Sequence, residues 1–443
     1  MSKPLVAVVG RPNVGKSTFF NRIAGQRIAI VEDTPGVTRD RIYADAQWLG
    51  RTFTLIDTGG IDPSSEDALL SRMRAQARIA IESCDLILFL VDARAGLTAD
   101  DQEVADLLRK AAKPVLLVAN KADSQKQRDD IYDFYSLGLG DPTPISSANM
   151  LGLGDLLDEI VKLLPPEEEE DDPNAEHPVR IAVVGRPNVG KSSLVNRLLG
   201  EERALVSDIP GTTRDAIDAP LEWNGQRYLL IDTAGMRRKR AIEEESIERY
   251  SIVRALAAVR RCDVALILIG AEEGVTEQDT KVAGFVCEEG KAAVIVVNKW
   301  DLVEKETGTM ETYRKEVLES FKFMAYASVV FISALSGQRI HKTLEAAAAA
   351  YAQTSKRVTT GVLNDVLADA TAALQPPATG GRRLKVYYGT QQGVCPPTFV
   401  LFVNDIKLMH FAYERYIENQ FRKAFGFEGT PIRLVLRERK KED

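Results

Sequence analysis

The feature that most constrains this 443-residue chain is a repeat of itself. Val8-Val9-Gly10-Arg11-Pro12-Asn13-Val14-Gly15-Lys16-Ser17 returns 175 positions later as Val183-Val184-Gly185-Arg186-Pro187-Asn188-Val189-Gly190-Lys191-Ser192. The same offset carries Pro35–Asp40 onto Pro210–Asp215, and Asp57-Thr58-Gly59-Gly60 onto Asp232-Thr233-Ala234-Gly235. From Cys84-Asp85 onward, matched by Cys262-Asp263, the offset is 178. It brings Asn120-Lys121-Ala122-Asp123 onto Asn298-Lys299-Trp300-Asp301. Two copies of one domain are implied, the second carrying three extra residues between 235 and 262.

The copies occupy residues 1–164 and 179–357, a linker 165–178 joins them, and a smaller domain fills 358–443. The linker holds seven acidic and no basic residues, which equals the net charge of −7 for the whole chain. Its prolines block a helix and its like charges repel, so it reads as extended and solvated. Within each copy, short apolar runs alternate with Ala-, Leu- and charge-rich stretches. In the first these runs are Leu5–Val9, Phe53–Ile56, Leu86–Val91 and Val115–Ala119; in the second, Leu229–Ile231, Val264–Ile269 and Ala293–Val297 keep the order. Strands alternating with helices predict an α/β domain with a largely parallel sheet.

Gly10 to Ser17 and Gly185 to Ser192 each satisfy G-x-x-x-x-G-K-[ST] between an apolar run and a helical pattern. Glycines let backbone N–H groups close around phosphate oxygens, and a helix N-terminus adds to that anion site. Lys16 and Lys191 are placed to reach the β- and γ-phosphates, and the Ser17 and Ser192 hydroxyls to hold Mg²⁺. Asp123 and Asp301 are the candidate readers of guanine, because a carboxylate accepts both the N1–H and the 2-amino N–H, a donor pair that adenine lacks. Asn120, Lys121, Asn298 and Lys299 are expected to frame the base, with Ser146–Ala148 and Ser333–Ala334 as further contacts.

Thr38 and Thr213 each lie 21 residues after the magnesium serine and are expected to join the metal shell beside a γ-phosphate. Asp57 and Asp232 are expected to hold Mg²⁺ through water, and the amides of Gly60 and Gly235 to meet the γ-phosphate. Lys16, Thr38, Gly60, Lys191, Thr213 and Gly235 are thus the candidate catalytic groups. Thr58, Gly59, Thr233 and Ala234 complete the nucleotide-contacting segments. Ile61 and Met236 stand where Ras-like proteins place a water-orienting glutamine, and neither side chain can position water. Asn13 and Asn188 resemble the loop asparagines of GTPases that seat K⁺ beside the phosphates; a loop-shaping role is the alternative.

Tandem G domains with GRPNVGKS and T-R-D motifs, then a small C-terminal domain, resemble the bacterial Der (EngA) family over essentially the whole chain. The resemblance implies a cytoplasmic GTPase, binding GTP and GDP, that acts in maturation of the large ribosomal subunit and meets its rRNA, with a KH-like third domain. Single-copy relatives share the loops, so a tRNA-modification GTPase or a nucleotide-gated RNA-binding scaffold are the alternatives. A monomer is expected.

The third domain reads α-β-β-α-β: helix Thr359–Leu374, strands Arg383–Thr390 and Pro397–Asn404, helix Phe411–Phe425 and strand Ile432–Leu436. Ala412, Tyr413, Tyr416, Ile417, Phe421, Ala424 and Phe425 form one apolar stripe on the second helix. Gly426-Phe427-Glu428-Gly429 has the letters of the RNA-clamping GXXG loop, yet it lies between a helix and a strand and carries an acid, so it reads as a turn. Arg382, Arg383, Lys385, Arg415, Arg422, Lys423, Arg437, Arg439, Lys440 and Lys441 are the candidate RNA contacts. Arg237 to Arg240 form a second basic spot, expected to be either a solvated turn or a nucleotide-gated contact.

Four cysteines without metal-ligand spacing and three histidines argue against a disulfide framework, a metal cluster or histidine catalysis. No apolar run reaches the ~20 residues of a membrane span. The start, MSKPLVAVVG, leads straight into a strand with no evident signal peptide.

Overall fold

The computed structural model describes residues 3–24, 43–57, 68–111, 113–124, 127, 130–166, 177–200, 218–233, 247–304, 306–376, 378–379 and 382–439. These form two compact units. One contains the described residues up to 166 together with 247–260; the other contains the remaining described residues from 177 onward.

The first unit is built on strands β1 (Leu5–Val9), β2 (Tyr43–Trp48), β3 (Arg51–Asp57), β4 (Leu86–Asp92), β5 (Val115–Asn120) and β6 (Thr143–Pro144). They lie in the order β2-β3-β1-β4-β5-β6. Only β2 runs antiparallel to its neighbour; β1 pairs in parallel with both β3 and β4. Helices α1 (Lys16–Ala24), α2 (Ala68–Ser83), α3 (Ala99–Arg109) and α4 (Leu153–Leu163) connect them. Side chains alternate across a strand, so β1 sends Leu5, Ala7 and Val9 into one apolar core and Val6 and Val8 into another. Every residue of β4 is buried, as a central parallel strand covered on both faces requires.

The second copy repeats this plan. Strands β7 (Val179–Val184), β8 (Ala219–Trp223), β9 (Gln226–Ile231), β10 (Val264–Gly270), β11 (Ala292–Asn298) and β12 (Ser328–Phe331) lie as β12-β11-β10-β7-β9-β8, the same order read from the other edge. Its sequence carries helices α5 (Lys191–Gly200), α6 (Ile247–Arg261), α7 (Glu277–Glu288), α8 (Thr309–Ser320) and α9 (His341–Thr354), of which α6, up to residue 260, is counted in the first compact unit.

Edge strands β2 and β8 were not among the apolar runs of the sequence. Each enters a hairpin through two left-handed residues, Leu49 and Gly50 in one copy and Asn224 and Gly225 in the other. Asn-Gly is the preferred pair for such a turn, so β8 had a readable signal. The repeated aspartates Asp85 and Asp263 also gain a reason. Their carboxylates accept the backbone N–H of Leu5 (2.7 Å) and of Arg180 (2.9 Å), fastening the start of each central strand.

The third domain, in the second unit, has helix α10 (Thr360–Ala373), a short pair β13 (Ala378–Thr379) and β14 (Arg382–Arg383), strands β15 (Val386–Gly393) and β16 (Thr398–Val403), helix α11 (Phe411–Phe425) and strand β17 (Arg433–Glu438). β16 pairs antiparallel with β15 and parallel with β17. The stripe on α11 is narrower than its periodicity suggested. Tyr413, Ile417 and Phe421 are buried, whereas Ala412 and Ala424 are exposed.

The GFEG segment is a turn that packs on the second G domain. Gly429 donates to the Tyr326 carbonyl (2.7 Å) and accepts from Ala293 (2.8 Å), while the Phe427 N–H donates to Gln353 Oε1 of α9 (3.2 Å). Gly429 has φ +74°, and a Cβ there would lie 2.5 Å from the Ala350 Cβ, so only glycine fits this approach. Arg422 is committed to the same joint. It donates to Glu418 and to the carbonyls of Phe427 and Thr430, and its guanidinium lies 4.6 Å from the centre of the Tyr326 ring. Arg422 is therefore a packing residue and not a free RNA contact, while Lys440 and Lys441 lie outside the described residues.

Candidate functional site

Each phosphate loop runs from the end of a buried central strand to the start of a helix. Its shape requires left-handed residues, with φ +64° at Asn13 and +96° at Gly15, and +63° at Asn188 and +100° at Gly190. Asparagine tolerates that region better than most side chains, so the backbone conformation by itself favours asparagine at 13 and 188. Gly15 is demanded twice over. A Cβ on it would lie 2.3 Å from Asn120 Nδ2, and one on Gly190 would lie 2.1 Å from Asn298 Nδ2.

Those asparagines are the centre of the site. Asn120 Nδ2 donates to the Val14 carbonyl (2.8 Å), while its Oδ1 accepts from the N–H and hydroxyl of Ser147 (both 3.0 Å). Asn298 donates to Val189 (2.7 Å) and accepts from the Ala334 N–H (2.9 Å). Both are buried. They are struts that tie the phosphate loop to the loop after β6 or β12. The bonds also set the register between the two loops: Ser147 corresponds to Ala334, and Ser146 to Ser333.

Lys16 Nζ donates to the carbonyls of Gly10 (2.6 Å) and Arg11 (2.8 Å), and Lys191 repeats this with Gly185 and Arg186 (both 2.6 Å). Burial pushes the Lys16 ammonium down to about 8, against a smaller opposite pull from Asp57. Phosphate is bound by the charged form. GDP affinity of the first site, measured with the second disabled by Lys191→Ala, is therefore expected to hold below pH 8 and fall about tenfold per unit above it. A flat profile to pH 9 would show that the Lys16 ammonium keeps its charge well above 8; its part in phosphate binding is checked separately by the loss of GDP affinity in Lys16→Ala.

Ser17 Oγ donates to Asp57 Oδ2 at 3.1 Å. Adjacent oxygens of an octahedral shell with bonds of 2.0–2.1 Å are separated by about 2.9 Å, so these two hard donors suit Mg²⁺, directly or through one water.

Lys121 Nζ donates to the Asn13 carbonyl and to Asp92 Oδ2 (2.6 Å), whereas Lys299 pairs with Glu272 at 3.8 Å. Asp123 is half-buried and accepts from Ser146 and Asn149, and Arg94 pairs with it; Asp301 is exposed. Val14, Val189, Ala122 and Trp300 are buried. Trp300 packs on Tyr313 and Phe331, so these four can meet a nucleotide only through the main chain. Thr38, Thr58, Gly59, Gly60, Ile61, Thr213, Ala234, Gly235 and Met236 lie outside the described residues, as do Arg237 to Arg240.

Sequence reasoning missed the partners of Arg11 and Arg186. Arg11 Nε lies 3.5 Å from Asp101, and Arg186 Nε 3.4 Å from Asp279. Both aspartates are wholly buried and close the capping boxes begun by Thr98 and Thr276. Burial pushes both carboxyls up, and the capping threonine and the arginine pull back. The signal was present: T-x-x-D recurs at the 178 offset immediately before a helix.

The chain matches the family described as "50S ribosome-binding GTPase" twice, over residues 5–121 and 180–299. The family "KH-domain-like of EngA bacterial GTPase enzymes, C-terminal" matches residues 357–437. GTPase Der of Acetivibrio thermocellus is 60% identical over 443 residues, covering all of both chains. GTPase Der of Ruminiclostridium cellulolyticum is 58% identical over 447 positions, again covering both in full. The Clostridium perfringens protein is 57% identical over 99% of this chain. With two phosphate loops, two guanine motifs and an EngA-type KH-like domain in one chain, this protein is a GTPase and belongs to the GTPase Der family.

Proposed function

We propose that the chain is a two-site GTP switch acting in the cytoplasm, as a monomer, in assembly of the large ribosomal subunit. The observation that carries the two-site reading is the strut in each copy. Asn120 and Asn298 join a phosphate loop to a guanine loop, so occupancy by one nucleotide is felt at both ends of each site. Lys16 and Lys191 bind the β- and γ-phosphates, and Asp123 and Asp301 read guanine. Ser17 with Asp57, and Ser192 with Asp232, would hold Mg²⁺, which supplies charge neutralisation at the phosphates when bound. Thr38, Thr213 and the amides of Gly60 and Gly235 are the triphosphate-dependent contacts. The ribosomal role is supported by the family's description as a 50S ribosome-binding GTPase. Cosedimentation with purified large subunits, strong with a non-hydrolysable GTP analogue and weak with GDP, is the expected result. Equal binding in both states, or none, would sink it.

K⁺ is a separate part of this reading. With Ile61 and Met236 in place of a water-orienting glutamine, an amide oxygen at Asn13 or Asn188 offers a ligand for a monovalent cation beside the phosphates. GTP turnover is expected to be at least several-fold faster in KCl than in NaCl at equal ionic strength. Equal rates would leave both asparagines with their backbone role alone.

A second reading of the KH-like domain is favoured by its joint with the second G domain. The hydrogen bonds of Gly429 with Tyr326 and Ala293 fit a domain that reports the state of its neighbour. RNA binding is then carried by the sheet's own basic groups, such as Arg437 and Arg439, not by the GXXG letters. Reversing both charges is expected to weaken binding to large-subunit rRNA and to make its loss with salt shallower, because fewer counterions are released; unchanged binding would leave only the reporting role.

A further inference from the structure

The two guanine loops share a backbone but not a charge. Ala93 donates to the Asn120 carbonyl (2.8 Å) as Ala271 does to Asn298 (2.9 Å), and Gly96 to Asp92 as Gly274 does to Gly270 (both 3.1 Å). Arg94 therefore occupies the place of Glu272. Arg94 Nη2 donates to Asp123 Oδ2, while Ser146 Oγ and Asn149 Nδ2 donate to Oδ1. The second copy has Glu272 and Ser336 at these places, and among the described residues Asp301 takes no such bond.

We propose that Arg94 is a latch on the guanine reader of the first site, lowering that site's affinity for guanine relative to the second. This rests on Asp123 reading guanine, as proposed above. A carboxylate offers about four acceptor positions. Three are taken, and guanine brings two N–H donors, so one resident donor must leave. Ser146 is buried and accepts the Asn149 N–H, which holds both in one turn. Arg94 comes from a different loop and its side chain is 58% exposed, so it is the donor that swings away. Glu272 cannot form this bond with Asp301. It carries the same charge as the reader, and Lys299 pairs with it instead.

The latch leaves a signature in the base. Hypoxanthine keeps the N1–H and lacks the 2-amino group, so it fills the fourth position without displacing Arg94. The test uses the full chain with the second site disabled by Lys191→Ala, and titrates GDP and inosine diphosphate by calorimetry. Arg94→Ala is expected to raise GDP affinity about two- to fivefold, the range of an exposed ion pair, and inosine diphosphate affinity by less. In the second site, with Lys16→Ala disabling the first, Glu272→Arg is expected to lower GDP affinity by a similar factor. Unchanged or weaker GDP binding by Arg94→Ala, or an equal gain for both nucleotides, would overturn the latch. Asp123→Asn separates the two layers. If it abolishes GDP binding while Arg94→Ala has no effect, only the latch falls; if it leaves GDP binding intact, the guanine reading falls and the latch with it.

Discussion

Asp301→Asn is expected to turn the second site away from guanine and toward xanthine, and Asp123→Asn to do the same in the first. The aspartate offers two acceptors to two guanine N–H groups. Asparagine replaces one acceptor with a donor, so one bond is kept while the other place becomes donor against donor. A hydrogen bond to a charged group contributes about 1.5–3 kcal/mol, so losing it lowers GDP affinity by about 10- to 10²-fold. Xanthine presents a carbonyl where guanine has its amino group, which pairs with the new donor and restores much of the loss. Titration of GDP and xanthosine diphosphate, each with the other site disabled, checks this. The loss is expected toward the lower end at Asp301, because that carboxylate is exposed and already partly solvated. Unchanged GDP affinity in either variant would remove that aspartate from base recognition.

Asn298→Ala is expected to destabilise the second G domain by roughly 2–5 kcal/mol, with a parallel effect from Asn120→Ala in the first. The change leaves the Val189 carbonyl and the Ala334 N–H without their partner in a buried setting, and each such group costs about 1–3 kcal/mol. Against a typical domain stability of about 5–15 kcal/mol this is a large fraction. Chemical unfolding followed by circular dichroism would show the lower midpoint. Asn298→Asp keeps the acceptor for Ala334 but sets a buried carboxylate against the Val189 carbonyl, so its loss is expected to be no smaller than that of Asn298→Ala. An unchanged midpoint in Asn298→Ala would mean the two loops are held by other means. A nucleotide cannot substitute for the strut, so GDP affinity falls along with stability.

The two copies differ in ways that the linear motifs hide. Their phosphate loops are identical over ten residues and their NKxD motifs differ only at Ala122 and Trp300. Yet Asp92 anchors Lys121 where the second copy has Gly270, and Arg94 reaches Asp123 where the second copy has Glu272. These substitutions sit between motifs, in a segment whose alignment at offset 178 was plain but whose neighbours in space were not.

Much of the architecture was legible because its causes are local. The glycine spacing, the apolar runs and the doubled offset each act over a few residues, and they imply two phosphate-binding α/β domains before any fold is seen. The helix Phe411–Phe425 could be read to the residue because capping and periodicity are local too. The edge strands β2 and β8 were less legible, since half-exposed strands lack a continuous apolar run; only Asn224-Gly225 announced one of them.

What the tertiary structure decided was who meets whom. Asn120 and Val14 are 106 residues apart, and Asn298 and Val189 are 109 apart. Parallel register across β1, β4 and β5 brings their loops to one end of the sheet, and no spacing rule in the sequence encodes that. The same holds for Arg11 on Asp101, for Arg94 on Asp123, and for Gly429 on the second G domain. The sequence by itself determined that there are two guanine-nucleotide sites, because backbone shape and donor–acceptor chemistry reside in short segments. The fold determined how each site is braced and where the copies part, because buried side-chain bonds depend on distances that only packing sets.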